Sequence, residues 1–210
     1  MLTSKWTKVG VFLLSLGPIG HLFWKGFRAE LTANPIEYIT HQTGDWTLIF
    51  LTLTLAVTPA RKLLRMPGLI RFRRMLGLFA FFYACLHFSI FFLFDHFFNV
   101  AAMLEDVAER KYITAGFFGL VLLVPLAITS TKGWIRRLGG KRWHRLHQAI
   151  YLTAIAGVIH FFWLVKSDIT RPTQYAIPII LLLGYRVVAW FGDRQARTQA
   201  VGSPSPSRST

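Results

Sequence analysis

The sequence predicts an all-α integral membrane protein built as a bundle of six transmembrane helices. Three observations carry that expectation. Of 210 residues, 53% are hydrophobic and 15% aromatic, with mean hydropathy +0.44, too apolar for an ordinary water-soluble domain. The apolar residues are gathered into blocks of about the length needed to cross a bilayer core of ~30 Å. The net charge of +15 is confined to particular connections rather than spread over the chain.

The blocks fall at 9–27, 46–60, 75–94, 113–130, 148–165 and 175–191. The first follows Lys5 and Lys8 as a signal peptide would, but no small-residue cleavage site follows it. Pro18 and His21 also interrupt its apolar run, so a retained helix is expected. The second block is short, and Leu63 and Leu64 extend it. The third holds His87 and the single cysteine, Cys85, which can form no internal disulfide and reads as a small packing residue. The fifth holds His160, with His147 at its entry. After the sixth, the domain is expected to end at 192. A tail over 193–210, closing in GSPSPSRST, is expected to be disordered and cytoplasmic.

Charge fixes the expected orientation. Arg61, Lys62, Arg65, Arg71, Arg73 and Arg74 fill the second connection, and Lys132, Arg136, Arg137, Lys141, Arg142 and Arg145 fill the fourth. Neither contains an acid. Glu30, Glu37, Asp45, Asp95, Glu105, Asp106, Glu109 and Asp168 lie in the first, third and fifth connections. The positive-inside rule then places both termini and the even connections in the cytoplasm. The basic surface suits anionic lipid or an acidic soluble partner. Nucleic-acid binding is not expected.

Absent motifs narrow the chemistry. The chain has no GxGxxG, GxxxxGK[ST], CxxC, HExxH or GxSxG. It therefore lacks the means to bind NAD(P)H through a Rossmann turn, hydrolyse a nucleotide or hold an iron–sulfur cluster. Electrons, if it carries them, come from another molecule.

Imidazoles inside apolar helices are costly and point to a use. His147 and His160 are thirteen residues apart, so on one helix they share a face and stand ~20 Å apart along the axis. One would lie near each leaflet. Axial ligation of haem b in a helix bundle accounts for them. His87 and His160 sit at similar depth near the outer ends of the third and fifth predicted helices, which run in the same direction. They form the expected ligand pair, with haem held between helices 3 and 5. His147 is the candidate ligand of an inner site. Its partner position on the third helix is occupied by Arg73 or Arg74, a cofactor contact or simply a topology signal.

His144 rivals His147 but lies in the interfacial run KRWHRLH. His41 and His96 fall in outer connections and are expected to be solvated, and His21 beside Gly20 is expected to serve helix packing. Phe79, Phe81, Phe82, Tyr83, Phe88, Phe91 and Phe92 around His87, and Phe161, Phe162 and Trp163 after His160, suit either a porphyrin or lipid. Gly77 and Gly157 could admit a cofactor closely.

Three stretches carry a family resemblance: HQTGDWTLIFLTLTLAVTPAR at 41–61, IRFRRMLGLFAFFYACLHF at 70–88 and RWHRLHQAIYLTAIAGVIHFFWLVK at 142–166. Across nearly the whole chain, from about 5 to 191, the sequence resembles MsrQ (YedZ). That family supplies the haem-binding membrane subunits of methionine sulfoxide reductase systems, within the ferric reductase-like transmembrane superfamily. In the wider superfamily the third and fifth helices each carry two histidines and hold two haems. Here the second histidine of the third helix is missing, and Arg73 is nearest its place.

The resemblance implies haem b, one or two per chain, and FMN. It implies a periplasmic molybdopterin reductase, MsrP, as partner and electrons from the quinone pool or a cytoplasmic flavin reductase. The expectation is thus a bacterial inner-membrane cytochrome b that carries electrons outward for repair of oxidised periplasmic proteins. The alternatives are another transmembrane cytochrome b, ferric reductase-like or quinol-oxidising, and a small transporter whose histidines bind metal or protons.

Overall fold

Polar caps and prolines set where the helices begin. Ser4 accepts from the Trp6 amide to open α1 (Lys5–Phe27), and Asn34 accepts from Glu37 to open α2 (Pro35–Leu63), with Pro35 in the first turn. After a single 3₁₀ turn at Pro67–Leu69 comes α3 (Ile70–Ile90), which runs on into a π-helical turn over Phe91–Asp95. Asn99 caps the short α4 (Val100–Glu109), followed by α5 (Lys111–Ile128). Thr131 caps α6 (Lys132–His147), and α7 (Ala149–Leu164) and α8 (Thr170–Gly202) complete the chain. The computed structural model describes residues 4–202, and no strand occurs among them.

Five segments are long and apolar enough to cross a membrane: Lys5–Phe27, Pro67–Asp95, Lys111–Ile128, Lys132–Leu164 and Thr170–Gly192. The chain is a multi-pass, all-α membrane protein. The sixth expected crossing, α2, falls outside that set because it carries Thr40, Thr43, Thr47, Thr52, Thr54, Thr58 and Asp45 among its apolar residues. It is nevertheless the most interior helix. Leu48, Phe50, Leu51, Leu55 and Val57 are all buried.

The bundle is assembled from two tight helix pairs. α3 packs chiefly on α2, and α7 chiefly on α5. Gly119 of α5 faces Ala156 of α7 in the second pair, where an added Cβ would make an ordinary contact of 3.6 Å with Ala156 Cβ. α1 joins the first pair through an aromatic cluster. Phe12 packs on Phe79 at 5.3 Å between ring centres, Phe79 on Phe50 at 5.5 Å, and Phe50 on Tyr83 at 5.2 Å.

Tyr83 then enters the hydrogen-bond ladder of α1. Its hydroxyl donates to Ser15 O at 2.9 Å and accepts from Ile19 N at 3.3 Å, two groups that would otherwise bond each other across one helical turn. Pro18 lies between them and has already opened the ladder there.

Two of the connections hold helices of their own. The fourth connection is helical, because Thr131 provides a cap and the basic run KGWIRRLGGKRWHRLH holds no proline and, before Gly139, only Gly133 in its first turn. Gly139 takes φ 73°, a left-handed conformation glycine adopts without strain, and kinks α6. The third connection contains α4. The expected domain end at 192 does not coincide with a helix end. α8 continues to Gly202 through DRQARTQA, which holds no proline and no internal glycine. The rest of the expected tail, 203–210, lies outside the described residues.

Candidate functional site

Between the two helix pairs lies a cavity of about 310 Å³, and His87 and His160 face each other across it. Their ring centres are 6.0 Å apart, with the planes at 80°. His87 reaches it from α3 and His160 from α7.

Each imidazole is fixed in the same way by the partner helix of its own pair. His87 Nδ1 donates to Thr40 O on α2 at 2.9 Å, and His160 Nδ1 donates to Tyr112 O on α5 at 2.6 Å. In a helix a carbonyl at position i lies beside the residue at i+4 that bonds it. A ring that reaches the same oxygen must therefore lie over that residue. Position i+4 is Gly44 in the first case and Gly116 in the second. A Cβ on Gly44 would stand 3.2 Å from His87 Cε1, and one on Gly116 would stand 2.8 Å from His160 Nδ1. Both glycines are cradles that any side chain would fill.

With Nδ1 protonated and bonded, the lone pair of each ring lies on Nε2. No described side chain or carbonyl bonds either Nε2. An iron held by two imidazole nitrogens, each ~2 Å away, spaces the ring centres by ~6 Å. The separation of this pair therefore fits the haem expected from the sequence. Phe88, Phe91, Phe117, Phe161, Leu120 and Leu123 supply an apolar lining. Among the described residues no three His, Cys, Asp or Glu side chains converge on one metal position.

The other end of the bundle, around His147, is built differently. His147 ends α6, and Gln148, with helical φ −70° and ψ −19°, carries the chain directly into α7 and on to His160. The turn between them is tightened by a Tyr151 N to Gln148 O bond at 3.0 Å. The Thr129 hydroxyl donates to Pro125 O at 2.6 Å, so it can only accept from His147 Nε2, 3.3 Å away. The other side of the ring lies on Trp143, with centres 3.9 Å apart. His147 meets no second histidine. Arg73 on α3 is near enough for its charge to act on His147. His144 is exposed.

Three other histidines depart from expectation. His41 lies in α2, because Asn34 and Pro35 start that helix well before the apolar block, and it lines the cavity. His96 is not solvated. Its side chain is 8% exposed, packed on Phe91 at 4.5 Å between ring centres and 3.4 Å from Asp106. His21 is exposed on α1, where Gly20 faces open space.

Of the aromatic residues, Phe88, Phe91 and Phe161 line the cavity, whereas Phe79 and Tyr83 belong to the α1–α2–α3 cluster and Trp163 is exposed. Gly77 faces Thr54 rather than the cavity, while Gly157 does line it. Gly44 and Gly116 escaped the sequence reading. Their signal is a glycine four residues after a carbonyl that carries no side-chain mark, legible only once the helix pairing is known. Asp45, beside Gly44, also lines the cavity and is paired with Arg171 of α8.

Residues 43–158 match the family described as ferric reductase like transmembrane component. A protein from Herminiimonas arsenicoxydans, named protein-methionine-sulfoxide reductase heme-binding subunit MsrQ, is 50% identical over 94% of this chain and 91% of its own length. The chain belongs to the MsrQ family. Proteins of the same name from Ralstonia nicotianae and Bordetella pertussis are 46% and 45% identical, over 96% and 89% of this chain and 93% and 91% of their own lengths. The ferric-reductase-like match begins within α2, runs through α3 and α5, and ends at Val158 in α7, two residues short of His160.

Proposed function

We propose that this chain is a membrane cytochrome b that binds haem b between His87 and His160 and carries electrons outward. They pass from the quinone pool or a cytoplasmic flavin reductase to a periplasmic methionine sulfoxide reductase, MsrP, which repairs oxidised periplasmic proteins. The observation that carries this reading is the histidine pair across the cavity, with both Nδ1 groups tied to carbonyls and both Nε2 groups free. The names of its relatives, each a heme-binding subunit, support it.

The six-crossing arrangement includes α2. Its charged ends, Glu37 outside and Arg61 and Lys62 inside, stand on opposite sides of the membrane. Both termini and α6 then lie on the cytoplasmic side of a bacterial inner membrane, and α4 on the periplasmic side.

Haem b bound in this cavity supplies reversible one-electron chemistry at its iron. The protein's own residues do the rest. Thr40 O and Tyr112 O hold the two imidazoles in one tautomer and one orientation. Gly44, Gly116 and Gly157 keep the cavity wall free of side chains. Phe88, Phe117 and Phe161 exclude water, and His87 and His160 are the residues that would hold the iron, one from each side of the cavity. His147 is assigned to an inner ligand role, with Arg73 as the charged side chain facing it. FMN rests on the family resemblance alone.

The test uses the purified chain in detergent, followed by its Soret and α bands under anaerobic conditions. NADPH alone should neither reduce the haem nor be consumed, and methionine sulfoxide should not be reduced. Adding a flavin reductase with NADPH, or a quinol, should reduce the haem. Reduction by NADPH alone, or a preparation without haem bands, would contradict the reading.

A further inference from the structure

The TPAR segment at 58–61 has no part in the His87–His160 site, yet it leaves polar groups of the inner half unexplained. Pro59 has no N–H, so the carbonyl four residues earlier, Leu55 O, lacks its helical donor. Leu55 is fully buried, and water cannot replace the missing bond. Arg186 of α8 replaces it instead. Its Nη2 donates to Leu55 O at 2.9 Å, while its guanidinium lies over the Tyr151 ring, 5.1 Å from the centre.

That bond does not satisfy the guanidinium. Nε and Nη1 of Arg186 are buried with no hydrogen-bond partner among the described residues. Thr58 Oγ1 is buried and unbonded as well. Thr40, Thr43, Thr47, Thr52 and Thr54 of the same helix each donate to the carbonyl four residues back, so the Thr58 hydroxyl departs from the habit of α2. Thr58 follows Leu55 by three residues, which brings it to the turn of α2 that Arg186 grips. The ionisable groups acting on Arg186 are Tyr151, Arg73 and Tyr185, and none of these is a carboxylate. Two guanidiniums thus stand near each other inside the bundle without a counter-charge among them.

We propose that Arg186 and Thr58 form an oxyanion site in the inner half of the bundle, which receives a carboxylate or phosphate group. Such a group offers only acceptors, which matches the unused N–H donors and the free hydroxyl, and its charge offsets the repulsion between Arg73 and Arg186. Two sources present that chemistry at this depth: a propionate of a haem in the inner half, or the phosphate of a lipid from the inner leaflet. The propionate source rests on the cytochrome reading. The site itself uses neither His87 nor His160.

The test is made on the full chain in nanodiscs with two pairs of probes. One pair is haemin against haemin dimethyl ester, which lacks the free carboxylates. The other is phosphatidylglycerol against phosphatidylcholine, read as the thermal unfolding midpoint. Pro59→Ala returns an N–H to Leu55 O, so in that background Arg186 is no longer needed to cap the carbonyl, and folding is separated from anion binding. Wild type and Pro59→Ala should prefer one acidic probe over its neutral partner by about tenfold or more. Pro59→Ala/Arg186→Gln should lose that preference, and Pro59→Ala/Thr58→Val should weaken it. A preference in the haemin pair identifies a propionate, and one in the lipid pair identifies a phosphate. No preference in either pair for wild type, or an undiminished one in Pro59→Ala/Arg186→Gln, would overturn the site. Haem bands retained in every variant would show that binding at His87 and His160 stands independently.

Discussion

Gly116 lies against His160 so closely that a Cβ at this position would stand 2.8 Å from Nδ1, the atom that donates to Tyr112 O. Real Cβ atoms do not come that near, so the ring or the helix must move. Gly116→Ala should turn the imidazole away from Tyr112 O and lower haem affinity by about tenfold, since orientation and tautomer depend on that bond. Gly44→Ala should act the same way on His87, less severely, because its Cβ would stand at 3.2 Å. Gly10→Ala, where nothing lies within 4 Å, is the control. Haemin titration of each variant gives the three affinities.

Tyr83→Phe tests the seam between α1 and α3. The change keeps the ring and its stack on Phe50 but removes a buried hydroxyl that serves Ser15 O and Ile19 N. Stability should fall by about 1–3 kcal/mol. Neither Tyr83 nor any residue of α1 lines the His87–His160 cavity, so haem content at low temperature should stay unchanged. Thermal unfolding in detergent, read with the Soret absorbance, separates the two effects.

The membrane orientation rests on charge alone and is open to direct test. Reporter fusions at Arg65 and at Glu105 should report cytoplasm and periplasm respectively. A periplasmic signal at Arg65 would reverse the direction of electron flow.

Much of this was legible in the residues themselves. His87 and His160 stood out because imidazoles in apolar blocks are rare, and equal depth on parallel helices is a matter of counting. The partner groups were not legible. Thr40 O and Tyr112 O are backbone atoms, and the glycines opposite the rings acquire meaning only once α2 is known to pack on α3 and α5 on α7. His41 was misjudged because Pro35 and Asn34 start α2 earlier than hydropathy indicates. His96 was misjudged because a turn with Phe97 and Phe98 at positive φ folds it inward onto Phe91. What counting did not show between His147 and His160 is the tightened turn at Gln148, where α6 passes into α7 with helical φ −70° and ψ −19°.

The most direct measurement of the central claim is haem content per chain, by pyridine haemochrome, in His87→Ala and His160→Ala. Leu86 and Phe88 beside His87, and Ile159 and Phe161 beside His160, carry no ligating atom, so neither loss can be made good locally. Both variants should lose the low-spin spectrum of the cavity haem, and electron delivery to the periplasmic reductase should stop. His147→Ala should leave that spectrum largely in place. Full haem content and an unchanged spectrum in His87→Ala and His160→Ala would contradict the account.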